Sequence, residues 1–313
     1  MQLLFDIVIP VFILMVLGGL CRLSGLMEES GAAALNRFVY YIAVPALMFT
    51  STATVDIESV LQWNFIAVYL GGSVVAIIIA LFGWRKMQLS SPLDWTVIAL
   101  NSAWANTVYM GIPIFYFIFG ERGALPVIIA TLSSNLLFIL MMALMSELQN
   151  SEGRVLAKLK MLLLQGVLKN PVMMAPLLGM LVSVSGVTLP PMILTPMQML
   201  APSAAPVALF ALGISLSGLE VRSGNFELIW LTLVKLVLHP LATFGFAVLF
   251  NLEPFWGASA VVLAALPTGA MVFVLAQQYN TRVALTSATI LVTTLVSLIT
   301  LALLLPLMKQ WGG

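Results

Sequence analysis

Ten stretches of this sequence run about the width of a lipid bilayer with very few charges inside them. They fall at about 5–23, 31–53, 62–83, 94–119, 123–146, 171–187, 191–219, 225–250, 255–279 and 283–308. About 20 apolar residues in a helix cross the hydrocarbon core. Strands of a closed barrel would be about half as long and would alternate in polarity, which these do not. Hydrophobic residues make up 61% of the chain and charged ones 8%, where a soluble domain carries about 25% charged residues. A soluble fold of 313 residues could not bury so much apolar surface, so the expected fold class is an all-α integral membrane protein.

The remaining composition excludes several functions. A net charge of +1 and the lack of a basic run argue against a nucleic-acid partner. One cysteine, Cys21, cannot form an intrachain disulfide, and with a single histidine it makes a metal site improbable. No cofactor is expected. Met1 to Asp6 carry no basic residue, so the first stretch reads as a retained span.

Basic residues set the orientation. With the N-terminus outside, the inner segments hold Arg22, Arg85, Lys86, Arg154, Lys158, Lys160, Lys169, Arg222 and Arg282, and the outer ones Arg122 and Lys309. That bias predicts both termini outside.

The two halves are related. An offset of 161 residues places Pro171 on Pro10, Gly179 on Gly18, Pro206 on Pro45 and Phe210 on Phe49. Five spans precede the 147–170 loop and five follow it, so the repeats would be inverted in the membrane. The expected division is 1–146 as first repeat, 147–170 as cytoplasmic loop and 171–313 as second repeat. Duplicated halves with proline-interrupted spans mark a secondary transporter.

Two spans are expected to break. The fourth holds Asn101, Asn106, Thr107, Gly111 and Pro113, and the ninth holds Pro267, Thr268 and Gly269. Proline removes a backbone donor and clashes with the preceding turn. Unsatisfied backbone is tolerated in a bilayer only inside protein or beside water. Broken at Pro113 and Pro267, these helices would present N-terminal ends that attract anions, with Asn106, Thr107 and Thr268 as hydrogen-bond donors. Simple kinks without a ligand role are the alternative.

Other polar residues sit deep in the spans. Burying Lys235 in mid-span costs about 2.5–3.5 kcal/mol. It reads as a substrate counter-charge, a protonatable group, or a tether to freed carbonyls. His239 lies one turn away and is either a structural donor or a proton handler. Asn135, in the fifth span, is a further candidate for the site. Every carboxylate lies in a loop or near a span end, which disfavours a cation antiporter and favours an anionic cargo.

The run Leu35-Asn36-Arg37-Phe38-Val39-Tyr40-Tyr41-Ile42-Ala43-Val44-Pro45, with Asn106-x4-Gly111-x-Pro113, Lys235-x4-Pro240 and Ala265-Leu266-Pro267, resembles the auxin efflux carrier (AEC) family over nearly the whole chain. The short central loop is closest to its bacterial branch. The resemblance implies ten spans in two inverted five-helix repeats, similar in fold to bile acid symporters and sodium/proton antiporters, with helices 4 and 9 broken and crossing. It implies a scaffold of spans 1, 2, 6 and 7, a mobile domain of spans 3–5 and 8–10, small organic anions as cargo, and homodimers in the bacterial inner membrane. Asn106 and Pro113 match the first crossover motif and Pro267 the second, where Thr268 stands in place of a paired asparagine.

The expected function is therefore elevator-type secondary transport of a mono- or dicarboxylate. The site would comprise Asn106, Thr107, Gly111, Pro113, Pro267, Thr268, Lys235 and Asn135, with Pro45 and Pro206 on the scaffold wall. Lys235 and His239 are candidates for proton handling, and a proton or sodium ion is the candidate coupling ion. Enzyme chemistry lacks an acid pair, metal cluster or activated nucleophile within the spans. A receptor or assembly protein of transporter ancestry, without flux, and a channel are the alternatives.

Overall fold

The computed structural model describes residues 9–54, 62–83, 87, 89, 91–150, 164, 167–217 and 225–312. Among them every regular element is helical, and extended pairing is confined to one isolated antiparallel bridge. In chain order the helices are α1 (Ile9–Leu23), α2 (Glu29–Phe38, continued to Val44–Ala53), α3 (Trp63–Phe82), α4a (Pro92–Ala103), α4b (Ile112–Phe119), α5 (Ala124–Asn150) and α6 (Pro171–Ser185). Then come α7 (Pro191–Leu200, continued to Ala204–Leu216), α8 (Asn225–Leu233, continued to His239–Leu249), α9a (Pro254–Ala265), α9b (Met271–Gln278) and α10 (Val283–Gly312). Ser30–Ala53, Trp63–Phe82, Pro191–Leu216, Phe226–Leu249 and Val283–Trp311 are long and apolar enough to cross a membrane, and several shorter apolar helices accompany them. Most of the expected 147–170 loop, with Arg154, Lys158 and Lys160, lies outside the described residues, as do Arg85, Lys86 and Arg222; α5 itself continues to Asn150.

Local sequence explains where helices start and stop. Ser91 caps α4a by accepting a hydrogen bond from Asp94 N at 3.1 Å, with Pro92 in the first turn. Asn170 caps α6 likewise, accepting from Val172 N at 3.0 Å ahead of Pro171. Gly186 ends α6 at φ 65°, the left-handed position that favours glycine.

Three internal prolines are accommodated in one way. Pro45, Pro113 and Pro240 each follow a π turn, at Val39–Ala43, Thr107–Gly111 and Val234–Leu238. A proline leaves the carbonyl four residues back without its donor and presses its ring on it. The wider turn relieves both: Val44 N donates to Val39 O, and His239 N to Val234 O, each spanning five residues. Pro206 instead follows a 3₁₀ turn at Ala201–Ser203.

The chain forms two compact units, Met1–Gln62 with Val108–Leu132 and Leu163–Gly218, and Trp63–Thr107 with Ser133–Leu162 and Leu219–Gly313. In the first, α1 packs on α7 and α2 packs on α6. Both contacts are backbone-close. A Cβ on Gly18 would run into Phe210 O, and one on Gly213 into Met15 O. A Cβ on Gly179 would run into Phe49 O, while Thr52 Oγ1 donates to Pro176 O at 3.1 Å.

In the second unit α3 packs on α4a and α8, and α9a packs on α8 and α10. Here polarity is inside out. On α10, Thr286, Thr289, Thr293, Thr294 and Ser297 are fully buried while Leu295, Ile299, Leu303 and Leu307 are exposed. A helix in water would turn the opposite way. Apolar side chains outward and hydroxyls inward are what a lipid solvent selects.

Candidate functional site

The second unit contains the two breaks. Helix α4a ends at Ala103, and its continuation Trp104–Asn106 is not helical before the π turn at Thr107. Helix α9a ends at Ala265, and Leu266–Ala270 is not helical before α9b. The two links pair antiparallel through a bridge between Ala105 and Thr268. Asn106 N donates to Pro267 O at 2.9 Å and Gly269 N to Trp104 O at 2.9 Å. Each break therefore supplies the partners the other has lost, which is how backbone can leave the helix at depth in a membrane. Gly269 has no side chain because a Cβ there would meet the Trp104 indole and Ala105 O.

Side chains complete the accounting. Thr268 Oγ1 donates to Asn101 O at 2.7 Å, capping the C-terminal end of α4a. Thr268 N, released from helix bonding, donates to Thr293 Oγ1 of α10 at 3.2 Å. Asn101 Nδ2 donates to Val97 O at 2.9 Å and Thr286 Oγ1 at 3.0 Å. Asn101, Thr268, Thr286 and Thr293 are all fully buried, and Asn106 and Thr107 nearly so.

Lys235 closes the other half-helix. Its Nζ donates to Ala264 O at 2.7 Å, the carbonyl whose helical partner would have been Thr268 N. Its second contact is His239 Nδ1 at 3.2 Å, and His239 Nε2 lies 3.2 Å from Ser73 Oγ on α3. Ser73 Oγ donates to Tyr69 O at 2.9 Å. Lys235 and His239 are both fully buried. Of the three roles read from sequence, the contacts display the tether directly, with Nζ turned to Ala264 O and His239 Nδ1 inside the protein.

The remaining expected residues are placed as follows. Thr107 begins the π turn, and its N–H bonds to Ala105 O at 2.8 Å. Gly111 and Pro113 lie downstream, at the end of that turn and in the first turn of α4b, within the first unit. The break expected at Pro113 is thus at Trp104–Asn106, because the π turn absorbs the proline and leaves the helix continuous there. Pro267 does stand in a break. Pro45 and Pro206 lie on α2 and α7 of the first unit. Asn135 is half-buried on α5. The small cavity beside Trp104 is lined by Ser134, Leu137 and Phe138 of that helix, with Ser73 opposite, and not by Asn135.

Ser73, Thr286, Thr293 and Trp104 also form the site, beyond the residues expected from the sequence. A signal for two of them existed: Thr286, Thr289, Thr293 and Ser297 repeat at helical spacing and mark one polar face on an otherwise apolar helix. Ser73 follows Gly71-Gly72, where a Cβ on Gly72 would run into Thr243 Oγ1; the close approach of α3 to α8 brings Ser73 to His239.

Broken, mutually paired helices within an apolar, inside-out helical assembly define an integral membrane transporter. The chain belongs to the membrane transport protein family, whose pattern matches residues 3–305. It is 29% identical over 308 residues (97% of this chain, 95% of the relative) to a protein of Rhizobium meliloti (strain 1021) provisionally named a malonate transporter. It is 27% identical over 301 residues (95% and 96%) to an uncharacterized transporter of Methanothermobacter thermautotrophicus. Auxin efflux carrier component 2 of Arabidopsis thaliana is 32% identical over 139 residues, 44% of this chain and 21% of that protein. These relatives are transporters and not enzymes.

Proposed function

We propose that this protein moves a small mono- or dicarboxylate across the membrane by elevator-type alternating access, binding it at the paired breaks of α4a–α4b and α9a–α9b. The observation that carries the reading is the antiparallel bridge between Ala105 and Thr268, which brings Asn106 and both interrupted helices to one place. Helix ends there carry partial charge without a full positive charge. Asn106 supplies an amide donor. The Thr268 hydroxyl proton is engaged by Asn101 O, so Thr268 meets the cargo through its position rather than by donation. Lys235 supports the anion electrostatically from behind Ala264. The relative provisionally named for malonate fits this cargo class.

Several observations support two inverted five-helix repeats, 1–146 and 171–313. The Gly18–Phe210 approach is matched by Gly179–Phe49, the same pair moved by 161 residues with the partners exchanged. Gly213–Met15 is matched by Thr52–Pro176 in the same way. The half-helix ends Ala103 and Ala265 differ by 265 − 103 = 162. The unit containing α1, α2, α6 and α7 matches the scaffold proposed, with Pro45 and Pro206 on its wall, and the unit containing α3, α4a, α8, α9a, α9b and α10 matches most of the mobile domain, while α4b and α5 as far as Leu132 group with the first unit rather than with spans 3–5. A homodimer in the bacterial inner membrane with both termini outside completes the reading. Export can run on the membrane potential, about 2.3 kcal/mol per charge per 100 mV.

Uptake of radiolabelled malonate into proteoliposomes tests this. Wild type should show saturable uptake, and Asn106→Ala should lose it while still migrating as a folded species. Equal uptake by the variant removes the paired breaks as the site, and binding without any uptake favours a receptor.

A further inference from the structure

The buried chain Lys235–His239–Ser73 has two hydrogen-bond arrangements that the same heavy-atom positions serve. In one, Lys235 is an ammonium. It donates to Ala264 O and to His239 Nδ1, His239 Nε2–H donates to Ser73 Oγ, and Ser73 donates to Tyr69 O. In the other, Lys235 is a neutral amine. It still donates to Ala264 O, its lone pair accepts from His239 Nδ1–H, and Ser73 O–H donates to His239 Nε2. Every polar atom of Lys235 and His239 is partnered in the second state. The two states differ by one proton.

Among the described residues, no carboxylate contacts Lys235. The π turn carrying Lys235 packs against α3, α4a, α9a and α10 as well as the rest of α8. The charged or titratable groups on those elements are Tyr69 on α3, Asp94 on α4a, Lys309 on α10 and Glu227 and His239 on α8; the described part of α9a has none. Asp94 and Glu227 are both bonded to Arg282, at 3.4 and 3.0 Å. The Tyr69 ring lies 6.4 Å from the imidazole. Lys235 makes no ion pair among the described residues.

We propose that Lys235, His239 and Ser73 form the proton-coupling site of the transporter, exchanging their proton with the cavity lined by Ser73, Ser134 and Trp104. This rests on the reading that the protein moves a small carboxylate. In the release step Lys235 Nζ gives a proton to His239 Nδ1. The Nε2–H bond breaks as that proton joins Ser73 Oγ, and the original Ser73 proton passes to a water in the cavity. Lys235 is left neutral, the imidazole stays neutral in its other tautomer, and Ser73 again holds one proton. Uptake reverses the sequence. Lys235 thus tethers α9a in both states, but as an ion in only one, so proton occupancy and the crossover are linked through Ala264.

His239 is the only histidine in the chain, so ¹⁵N-histidine NMR of the full-length protein reads this site without overlap. The Nε2-protonated tautomer is expected at the low end, and the Nδ1-protonated tautomer at the high end, of the pH range over which the purified protein stays folded. Lys235→Met should lock one tautomer throughout. A wild-type ring that keeps one tautomer over this range, or a Lys235→Met ring that still switches, overturns the proposal. In a second arm, proteoliposomes loaded with a pH-sensitive dye are given a malonate gradient. Wild type should move protons with malonate, and Ser73→Ala should lower the ratio of protons to malonate. Malonate flux without proton flux in wild type also overturns it. Absence of malonate flux counts against the transport reading alone, and the histidine spectrum then decides the relay.

Discussion

Replacing Thr268 by valine isolates one interaction at the crossover. Valine keeps the shape and β-branching of threonine and removes only the hydroxyl that donates to Asn101 O at 2.7 Å. Both residues are fully buried, so no water replaces the lost donor. A buried carbonyl left without a partner costs about 1–3 kcal/mol. The Thr268 N–H bond to Thr293 is backbone-derived and persists. At about 2–4 °C per kcal/mol, the melting temperature of purified protein should fall by roughly 2–12 °C. Thr268→Ser restores the hydroxyl and should recover most of the loss. The assay is thermal unfolding in detergent for wild type, Thr268→Val and Thr268→Ser, with malonate uptake measured in parallel. Valine melting with wild type, or serine melting as low as valine, would refute the claim that this hydroxyl caps α4a.

Two further substitutions test neighbouring claims. Gly179→Ala presses a methyl on Phe49 O and Gly18→Ala presses one on Phe210 O, so each should destabilise by about 1–3 kcal/mol, seen as a lower midpoint in thermal unfolding; one substitution tolerated and the other not would count against the exchanged-repeat relation. Pro113→Ala should leave the malonate KM within about threefold of wild type, because the break precedes the proline and is held by pairing with Pro267 and Gly269; a large rise in KM would return the break to Pro113.

The positions of the apolar helices were legible because bilayer thickness imposes a length that few other constraints mimic. Helix α3 at Trp63–Phe82 lies within one residue at each end of the stretch read as 62–83. Proline was the less faithful signal. It reports a missing donor, but a π turn and a true break both answer that lack, and sequence does not distinguish them. The break of the fourth span is legible from its polar residues and proline, but its position is not: Trp104–Asn106 contains neither proline nor glycine, and the cause there is the pairing with Leu266–Gly269, far away in sequence. The ninth-span break was found because Pro267 occupies it. Lys235 announced itself as a buried cation, yet its partners Ala264 and Ser73 come from other helices and left no local mark.

The π turns before Pro45, Pro113 and Pro240 carry a consequence for ancestry. Each is equivalent to one amino acid inserted into a regular helix, and one residue corresponds to a rotation of about 100° around the axis. A relative lacking one residue of Val234–Leu238 would run through as regular helix with His239 and everything downstream on the same face, whereas straightening the turn without that deletion would swing them to another. Comparisons among relatives should therefore show single-position gaps at these three places, always together with the proline that follows, gained or lost as a pair.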